Sequence, residues 1–174
     1  MMLFRYLDAL PAIPDHLLSA DDLINRDIVG YRDDMYIRYG ISKNLITWIG
    51  ENITKHINIS GIQEITGEVP PHSDKRKWAL NYILDTGGPE VHTNFLYQQE
   101  HELVREPGTR PIGLEHELSI VYSKVIEPYR WHILNTNVYH SVTGITGTRK
   151  AITIGINLPN VLDAIKGYAG SIYD

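Results

Sequence analysis

The sequence predicts an all-β core with helical padding, arranged as a β-sandwich or a jelly roll in a single domain spanning residues 1–174. After residue 60 the chain is a series of short segments with strand-like patterns, separated by turns that contain glycine and proline. Only one long segment, residues 43–56, has its apolar residues at helical spacing. Strands and helices do not alternate regularly, so a doubly wound parallel sheet is not expected.

The first third of the chain, about residues 1–58, is predicted to pack on this core as helical padding. A short helix is expected around residues 19–25, whereas residues 35–40 (MYIRYG) alternate in the manner of a strand. Ser42 is a typical helix N-cap residue, and residues 43–56 after it are predicted to form one amphipathic helix. The apolar residues of that helix are Leu45, Ile46, Ile49 and Ile53.

The strands of the core are predicted from short apolar or alternating segments. In chain order these are IQEITGEV (62–69), WALNYILD (from about 78 to 84), VHTNFLYQ (91–98), LSIVYSKVI (118–126), WHILNTNVYHSV (131–142, in one or two pieces) and KAITIGINL (150–158). The turn DTGGPE, residues 85–90, is predicted to close a hairpin between the second and third of them. Residues 98–117 are polar and are expected to form a long loop, of the kind that often serves as a lid or a binding loop. A short helical tail is expected after Pro159.

Composition and charge narrow the classes of function. The net charge is -5, the pI is near 5.9, and the only compact basic run is Lys75-Arg76-Lys77, so nucleic acid is not expected as a partner. The chain has no cysteine, which excludes disulfides and thiol catalysis. No apolar stretch is long enough to span a membrane, and the start of the chain lacks the pattern of a signal peptide. A cytoplasmic location is therefore expected.

Three residues form a candidate metal site. His72 and Asp74 make an H-x-D motif before the strand at 78–84, and their spacing lets both side chains point to the same side of an extended segment. His140 lies in a later strand-like segment, NVYHSV, and would supply the third ligand. Two histidines and one carboxylate on one side of a metal are the ligand set of non-haem iron(II), which keeps its other coordination positions open.

A basic pair, Arg149 and Lys150, opens the last predicted strand. Arg149 would share a face of that strand with the small or polar residues Ala151, Thr153 and Gly155, whereas Lys150 would extend to solvent beside a row of isoleucines. A cosubstrate with a free carboxylate needs a cation at the far end of its pocket, and a guanidinium binds a carboxylate with two hydrogen bonds. Arg149 is therefore the preferred anchor, and Lys150 is the alternative.

Two stretches of the sequence resemble the iron(II)- and 2-oxoglutarate-dependent oxygenases. PHSDKRKWALNYILD, residues 71–85, resembles the H-x-D loop and following strand of that family. WHILNTNVYHSVTGITGTRKAITIGI, residues 131–156, resembles its distal histidine and basic residue. The resemblance covers about residues 60–158; similar sequences occur among short bacterial and phage proteins, and the prolyl and aspartyl hydroxylases share the core. It implies a double-stranded β-helix, which is a jelly roll.

The resemblance also implies roles for individual residues. His72, Asp74 and His140 would hold Fe(II), and Arg149 would bind the distal carboxylate of the cosubstrate 2-oxoglutarate. The spacing from His140 to Arg149 is slightly shorter than is usual in the family, and Lys150 stands at the commoner distance. No catalytic residue is implied beyond the metal ligands. Weaker candidates for hydrogen bonds to the cosubstrate are Asn81, Tyr82 and Thr93.

The activity implied by the resemblance is that of a dioxygenase. Such an enzyme uses 2-oxoglutarate and O2, hydroxylates a second substrate, and releases succinate and CO2; a small molecule or a peptide is favoured as that substrate. Two alternatives remain open. One is a cupin-like jelly roll that binds a metal but not 2-oxoglutarate, and the other is a non-catalytic jelly roll with a binding or structural role.

Overall fold

The computed structural model describes residues 2–18, 36–57, 59–98 and 118–168. The helix expected at residues 19–25 and nearly all of the loop expected at 98–117 lie outside the described residues. Two antiparallel sheets and one α-helix make up most of the described chain. The all-β core that the sequence predicts is therefore confirmed.

The elements are numbered in chain order. The strands are β1 (Phe4–Tyr6), β2 (Tyr36–Tyr39), β3 (Ile59–Ile65), β4 (Val69–His72), β5 (Trp78–Thr86), β6 (His92–Gln98), β7 (Leu118–Val125), β8 (Trp131–Asn135), β9 (His140–Thr143) and β10 (Arg149–Ile156). The α-helix is α1 (Lys43–Asn52), and short 3-10 helices span Asp15–Leu17 and Val161–Ala164.

The strands form two sheets. One has six strands in the order β1-β8-β5-β10-β3-β2, and the other has four in the order β4-β9-β6-β7. β1, which the sequence did not predict, and β2 are the two edge strands of the larger sheet. The first part of the chain thus supplies strands to the core as well as helical padding.

The strands from β3 to β10 pair from the ends of the series inward. β3 pairs with β10, β4 with β9, β5 with β8, and β6 with β7, all antiparallel. Successive pairs alternate between the larger and the smaller sheet. As a result, segments that are far apart in the sequence, such as β4 and β9, lie side by side.

The predicted hairpin between β5 and β6 is wrong. β5 lies between β8 and β10 in the larger sheet, whereas β6 lies between β9 and β7 in the smaller one. The turn between them carries the chain from one sheet to the other through Gly87 and Gly88, whose φ angles are 78° and 149°. A Cβ on Gly87 would lie 2.7 Å from the backbone nitrogen of Arg149, so only glycine lets the turn run this close to β10.

Apolar side chains form a cluster on each face of the larger sheet. The outer cluster packs α1 and the first residues of the chain against alternate positions of β5, β8 and β10, where Leu80, Ile133 and Ile152 are fully buried. The inner cluster lies between the two sheets and includes Ala79 and Phe95. Because side chains alternate along a strand, the residues next to those of the outer cluster face the space between the sheets.

Helix α1 begins as the sequence predicts and ends earlier. The Ser42 hydroxyl accepts a hydrogen bond from the backbone N–H of Leu45 at 3.1 Å, which caps the first turn. The helix stops at Asn52 instead of residue 56, because the chain turns there to pair Thr54 with Ile165 in an isolated bridge. No helix in the described part of the chain is long and apolar enough to cross a membrane.

Replacing Ile133 by alanine is expected to lower the free energy of unfolding by about 2–5 kcal/mol, because the deletion leaves a cavity in the outer cluster. The side chain of Ile133 is 0% exposed. Ile120→Ala is the matched control, since Ile120 is also a strand isoleucine but is 59% exposed, and its loss should stay within about 0.5 kcal/mol. Urea denaturation of the three proteins measures the difference, and equal losses would contradict this assignment of the core.

Candidate metal centre

His72, Asp74 and His140 come together at one end of the β4–β9 pair. His72 is the last residue of β4 and lies directly opposite His140, the first residue of β9, in the strand register. The potential ligand atoms of the three side chains all lie within 4.8 Å of one another. The Nε2 atom of His72 is 3.8 Å from Oδ1 of Asp74, and the two imidazole ring centres are 4.3 Å apart.

The backbone sets the tautomer of both imidazoles. The Nδ1 atom of His72 lies 2.9 Å from the carbonyl oxygen of Pro70, and Nδ1 of His140 lies 2.9 Å from that of Val138. Since a carbonyl oxygen only accepts hydrogen bonds, each Nδ1 carries the proton and donates it. Each neutral ring therefore keeps the lone pair of Nε2 for a metal, as is usual for ligating histidines.

The protonation state of His140 also suits a ligand. Burial and, to a smaller extent, the nearby His72 lower the pKa of His140 to about 4, although the carboxylate of Asp74 acts in the opposite direction. The ring is thus neutral at physiological pH and keeps the Nε2 lone pair that metal binding requires.

The loop that carries Asp74 is hydrogen-bonded to the segment between β8 and β9. The backbone N–H of Asp74 donates to the carbonyl oxygen of Thr136 at 2.7 Å, and the Thr136 hydroxyl donates to the carbonyl oxygen of Arg76 at 2.9 Å. Nε of Arg76 lies 2.9 Å from Oδ2 of Asp74, close enough for an ion pair, but its N–H does not point at the oxygen and no hydrogen bond forms. This carboxylate oxygen is buried and has no hydrogen-bond partner, so it has a lone pair available.

The donor set fits a divalent metal that needs open coordination positions. Two imidazole nitrogens and one carboxylate come from one wall of the site, as in non-haem iron(II) centres. The His72 and Asp74 side chains are 27% and 23% exposed, whereas His140 is 7% exposed. The site is therefore accessible from the side of His72 and Asp74.

Arg149 lies between the sheets. It belongs to β10 of the larger sheet, is only 6% exposed, and its Nη2 donates to the Thr93 hydroxyl on β6 of the smaller sheet at 3.2 Å. Burial lowers the pKa of Arg149 to about 10, so it is still charged at neutral pH. Among the described residues no carboxylate forms an ion pair with this guanidinium, although a buried charge without a counter-charge is costly.

Lys150 points to the opposite side of β10. Its Nζ lies 2.5 Å from Oε1 of Glu64 on β3, and its side chain is 37% exposed. Glu64 also accepts a hydrogen bond from the Tyr39 hydroxyl at 3.2 Å. Lys150 thus has a partner at the surface, whereas Arg149 is directed into the interior.

A row of polar side chains crosses the inner face of the larger sheet. Thr153 on β10 pairs in register with Asn81 on β5, and Asn81 pairs with His132 on β8. All three residues are buried, and Thr153 Oγ1, Asn81 Oδ1 and His132 Nε2 have no hydrogen-bond partner. Buried polar atoms are normally hydrogen-bonded, so these three atoms are where a ligand or water would supply the missing partners.

His132 was given no role in the sequence analysis. Its Nδ1 lies 3.2 Å from the carbonyl oxygen of Arg130, so Nδ1 carries the proton and Nε2 is an acceptor directed between the sheets. Burial, with a smaller contribution from the charge of Arg149, lowers the pKa of His132 to about 3 against the opposing effect of the hydrogen bond to Arg130. The only sequence signal was a polar residue at an inward position of an apolar strand.

Tyr82 is not brought to the site. Its neighbour Asn81 faces the space between the sheets, but Tyr82 itself lies in the outer cluster with its ring 4.9 Å from that of Trp131. Burial raises the pKa of the Tyr82 phenol. Of the weaker cosubstrate candidates, Asn81 and Thr93 lie between the sheets and Tyr82 lies on the other side of the larger sheet.

Comparison of the sequence with family models and curated proteins found no relative. No family model matches the chain, and no curated protein is significantly similar to it.

The buried imidazole of His132 is expected to make stability depend on pH. Because its pKa is about 3 in the folded state and about 6.5 in the unfolded state, the unfolded chain binds more protons between these values. Stability is then complete above pH 6.5 and falls as the pH decreases toward 3. The loss from this residue between pH 7 and pH 5 is about 2 kcal/mol.

Urea denaturation of the wild type and of His132→Gln at both pH values measures this loss. Between the two pH values, the free energy of unfolding of the variant should change by about 2 kcal/mol less than that of the wild type. His56→Gln, at an exposed histidine, is the control and should keep the wild-type difference. A His132→Gln protein with the full wild-type difference would contradict the assignment.

Proposed function

We propose that this protein is an iron(II)- and 2-oxoglutarate-dependent dioxygenase that hydroxylates a small molecule or a peptide and releases succinate and CO2. The observation that carries the proposal is the approach of His72, Asp74 and His140 to within 4.8 Å of one another through their potential ligand atoms. Two imidazoles held in the Nδ1–H tautomer and one carboxylate with a buried oxygen that accepts no hydrogen bond form the ligand set that this chemistry needs.

The strand connectivity supports a double-stranded β-helix as the fold. A jelly roll has eight strands in two sheets, and its chain folds as a long antiparallel ribbon wrapped on itself. β3 to β10 are eight strands whose pairs nest from the outside inward and alternate between the two sheets. Their order in the sheets is β8-β5-β10-β3 and β4-β9-β6-β7.

The interior between the sheets supports an anionic cosubstrate. Arg149 supplies a buried guanidinium without a carboxylate partner in the described part of the chain, and Thr93 holds it with one hydrogen bond. The unpartnered polar atoms of Asn81, His132 and Thr153 lie on the same face of the sheet. A dicarboxylate that reaches from the metal to Arg149 would neutralise this charge.

The protein's part in the proposed reaction is to hold the metal and to orient the cosubstrate. Iron(II), with 2-oxoglutarate and O2, supplies the oxidising chemistry when it is bound. His72 and His140 present Nε2 lone pairs, and Asp74 offsets part of the metal charge. Arg149 orients the distal carboxylate of the cosubstrate, and the apolar inner cluster limits the access of water.

Replacing Asp74 by alanine is expected to weaken the binding of Fe(II) by more than about a hundredfold, since one of three protein ligands is lost. Anaerobic calorimetric titration measures the affinity, and circular dichroism should report an unchanged fold because Asp74 is not part of either apolar cluster. Asp163→Ala, at an exposed aspartate, is the control and should bind Fe(II) normally. Equal affinity in the two variants would refute the metal centre.

Other divalent metals are expected to compete for the same ligands. Co(II), Ni(II), Cu(II) and Zn(II) should displace Fe(II), because a site of two imidazoles and a carboxylate does not exclude them by affinity. They should inhibit turnover, measured as succinate formed from 2-oxoglutarate, since they do not support the same oxygen chemistry. Full activity with Zn(II) alone would indicate a hydrolase instead.

Replacing Arg149 by alanine is expected to raise the 2-oxoglutarate concentration required by roughly two to four powers of ten, because a buried charge partner is lost. The visible charge-transfer band of the anaerobic Fe(II)–2-oxoglutarate complex measures this binding. Fe(II) affinity should persist, and Lys150→Ala, which removes the surface ion pair with Glu64, should have little effect. Metal binding without any 2-oxoglutarate binding in the wild type would favour the cupin-like alternative.

A further inference from the structure

A basic cluster lies beside the candidate metal centre on its accessible side. The run Lys75-Arg76-Lys77 follows Asp74 directly, and the sequence analysis gave it no role. Arg76 contacts the Asp74 carboxylate with Nε 2.9 Å from Oδ2, and its side chain is 17% exposed. Lys75 next to it is exposed to solvent.

A second arginine, on β2, lies within electrostatic range of Arg76 and Asp74. Arg38 pairs in register with Gln63 on β3, and its side chain crosses Gly61, where an added Cβ would lie 2.7 Å from Nε of Arg38. Burial lowers the pKa of Arg38, and the charge of Arg76 lowers it further, so the two guanidiniums lie within each other's electric field. Among the described residues Arg38 forms no ion pair with a carboxylate.

Tyr36 completes the cluster. Its side chain is hydrogen-bonded to that of Gln63, and Arg76, Arg38 and Asp74 all influence its hydroxyl. Burial is the largest of these influences, and the pKa of Tyr36 is raised although the two arginines act to lower it. The phenol is therefore neutral at physiological pH and can donate a hydrogen bond.

Among the described residues, the positive charges of this cluster outnumber the negative ones. Arg38 and Arg76 carry two positive charges, and the described carboxylate that acts on both is that of Asp74. Asp74 is also the carboxylate that the proposed metal would bind, and the metal would bring two further positive charges. In a chain with a net charge of -5, this concentration of cations in a half-buried place indicates a site for an anion.

We propose that Tyr36, Arg38 and Arg76 bind a carboxylate or phosphate group of the primary substrate beside the metal centre. The planar guanidinium binds either oxyanion with two parallel hydrogen bonds, and a neutral phenol adds a third donor. The site is accessible from the side of His72 and Asp74, so a substrate held here would have its anionic group at the entrance and its remaining atoms near the open metal positions. The placement of the substrate near the metal rests on the proposed dioxygenase function, whereas anion binding by Tyr36, Arg38 and Arg76 does not.

Nuclear magnetic resonance of the arginine side chains tests the anion site in the metal-free protein. Inorganic phosphate and acetate are titrated separately into protein labelled with 15N, and the Nε–H signals are assigned with single arginine variants. The signals of Arg38 and Arg76 should move together and saturate. Comparison of the two titrations shows whether phosphate or carboxylate is preferred.

Substitution then tests which residues bind. Arg38→Gln and Arg76→Gln should each weaken the affinity for the preferred anion by about tenfold or more, since each removes a charged pair of donors. Arg130→Gln is the matched control, because Arg130 is paired with Asp8 and Glu127 at another surface, and it should bind the anion normally. If a glutamine variant does not fold, the lysine variants Arg38→Lys and Arg76→Lys replace it. They keep the positive charge but lose the planar pair of donors, so they should still bind the anion more weakly than the wild type.

Three outcomes would overturn the proposal. They are an equal, non-saturating drift of all arginine signals, a response of Arg149 alone, and unchanged affinity in the Arg38 and Arg76 variants. The titration needs neither metal nor 2-oxoglutarate. A positive result with no Fe(II) binding would therefore support the anion site while removing the dioxygenase, and Fe(II) and 2-oxoglutarate binding with no anion response would do the opposite.

Discussion

The pairing of β4 with β9 is the contact on which the candidate site depends. It sets His72 opposite His140, and a slip of one residue would turn the two imidazoles to opposite faces of the sheet. β4 is an edge strand and contains Pro70 and Pro71, which lack the N–H that a central strand would need. The register shifts between Val69 and His72, so the prolines accompany a local irregularity that ends in the histidine pair.

The two faces of the larger sheet serve different purposes. The outer face is covered by α1 and the first residues of the chain and contains large apolar side chains such as Ile133 and Ile152. The inner face contains a smaller apolar cluster together with Asn81, His132 and Thr153, each of which has a buried polar atom without a hydrogen-bond partner. It also contains the buried charge of Arg149. Burying such groups costs stability, so their presence is expected where a ligand supplies the missing partners. The apolar burial in the outer cluster offsets this cost, because β5, β8 and β10 carry the outer cluster on one face and the polar residues on the other.

Cations occupy two separate places around the candidate centre of an acidic protein. Arg149 is inside, bridged to the smaller sheet through Thr93, and Arg38 and Arg76 are at the entrance beside Asp74. If both positions bind anions, two anionic molecules would approach the metal from different directions. Under the proposed function, the interior position would hold the cosubstrate and the entrance would hold the substrate.

Local patterns in the sequence determined the strand-rich core, the start of α1 and the order of the candidate ligands. Alternation along β10 also separated Arg149 from Lys150, and the structure buries the first and exposes the second. These features depend on neighbours in the chain, which periodicity records. The tertiary structure alone decided that β5 and β6 belong to different sheets and that Tyr82 faces the outer cluster. It also decided that His132 joins Asn81 and Thr153, and that Arg38 comes within electrostatic range of Arg76. Each of these results from strands that pair across long separations in the chain, and local periodicity carries no information about which strands will pair.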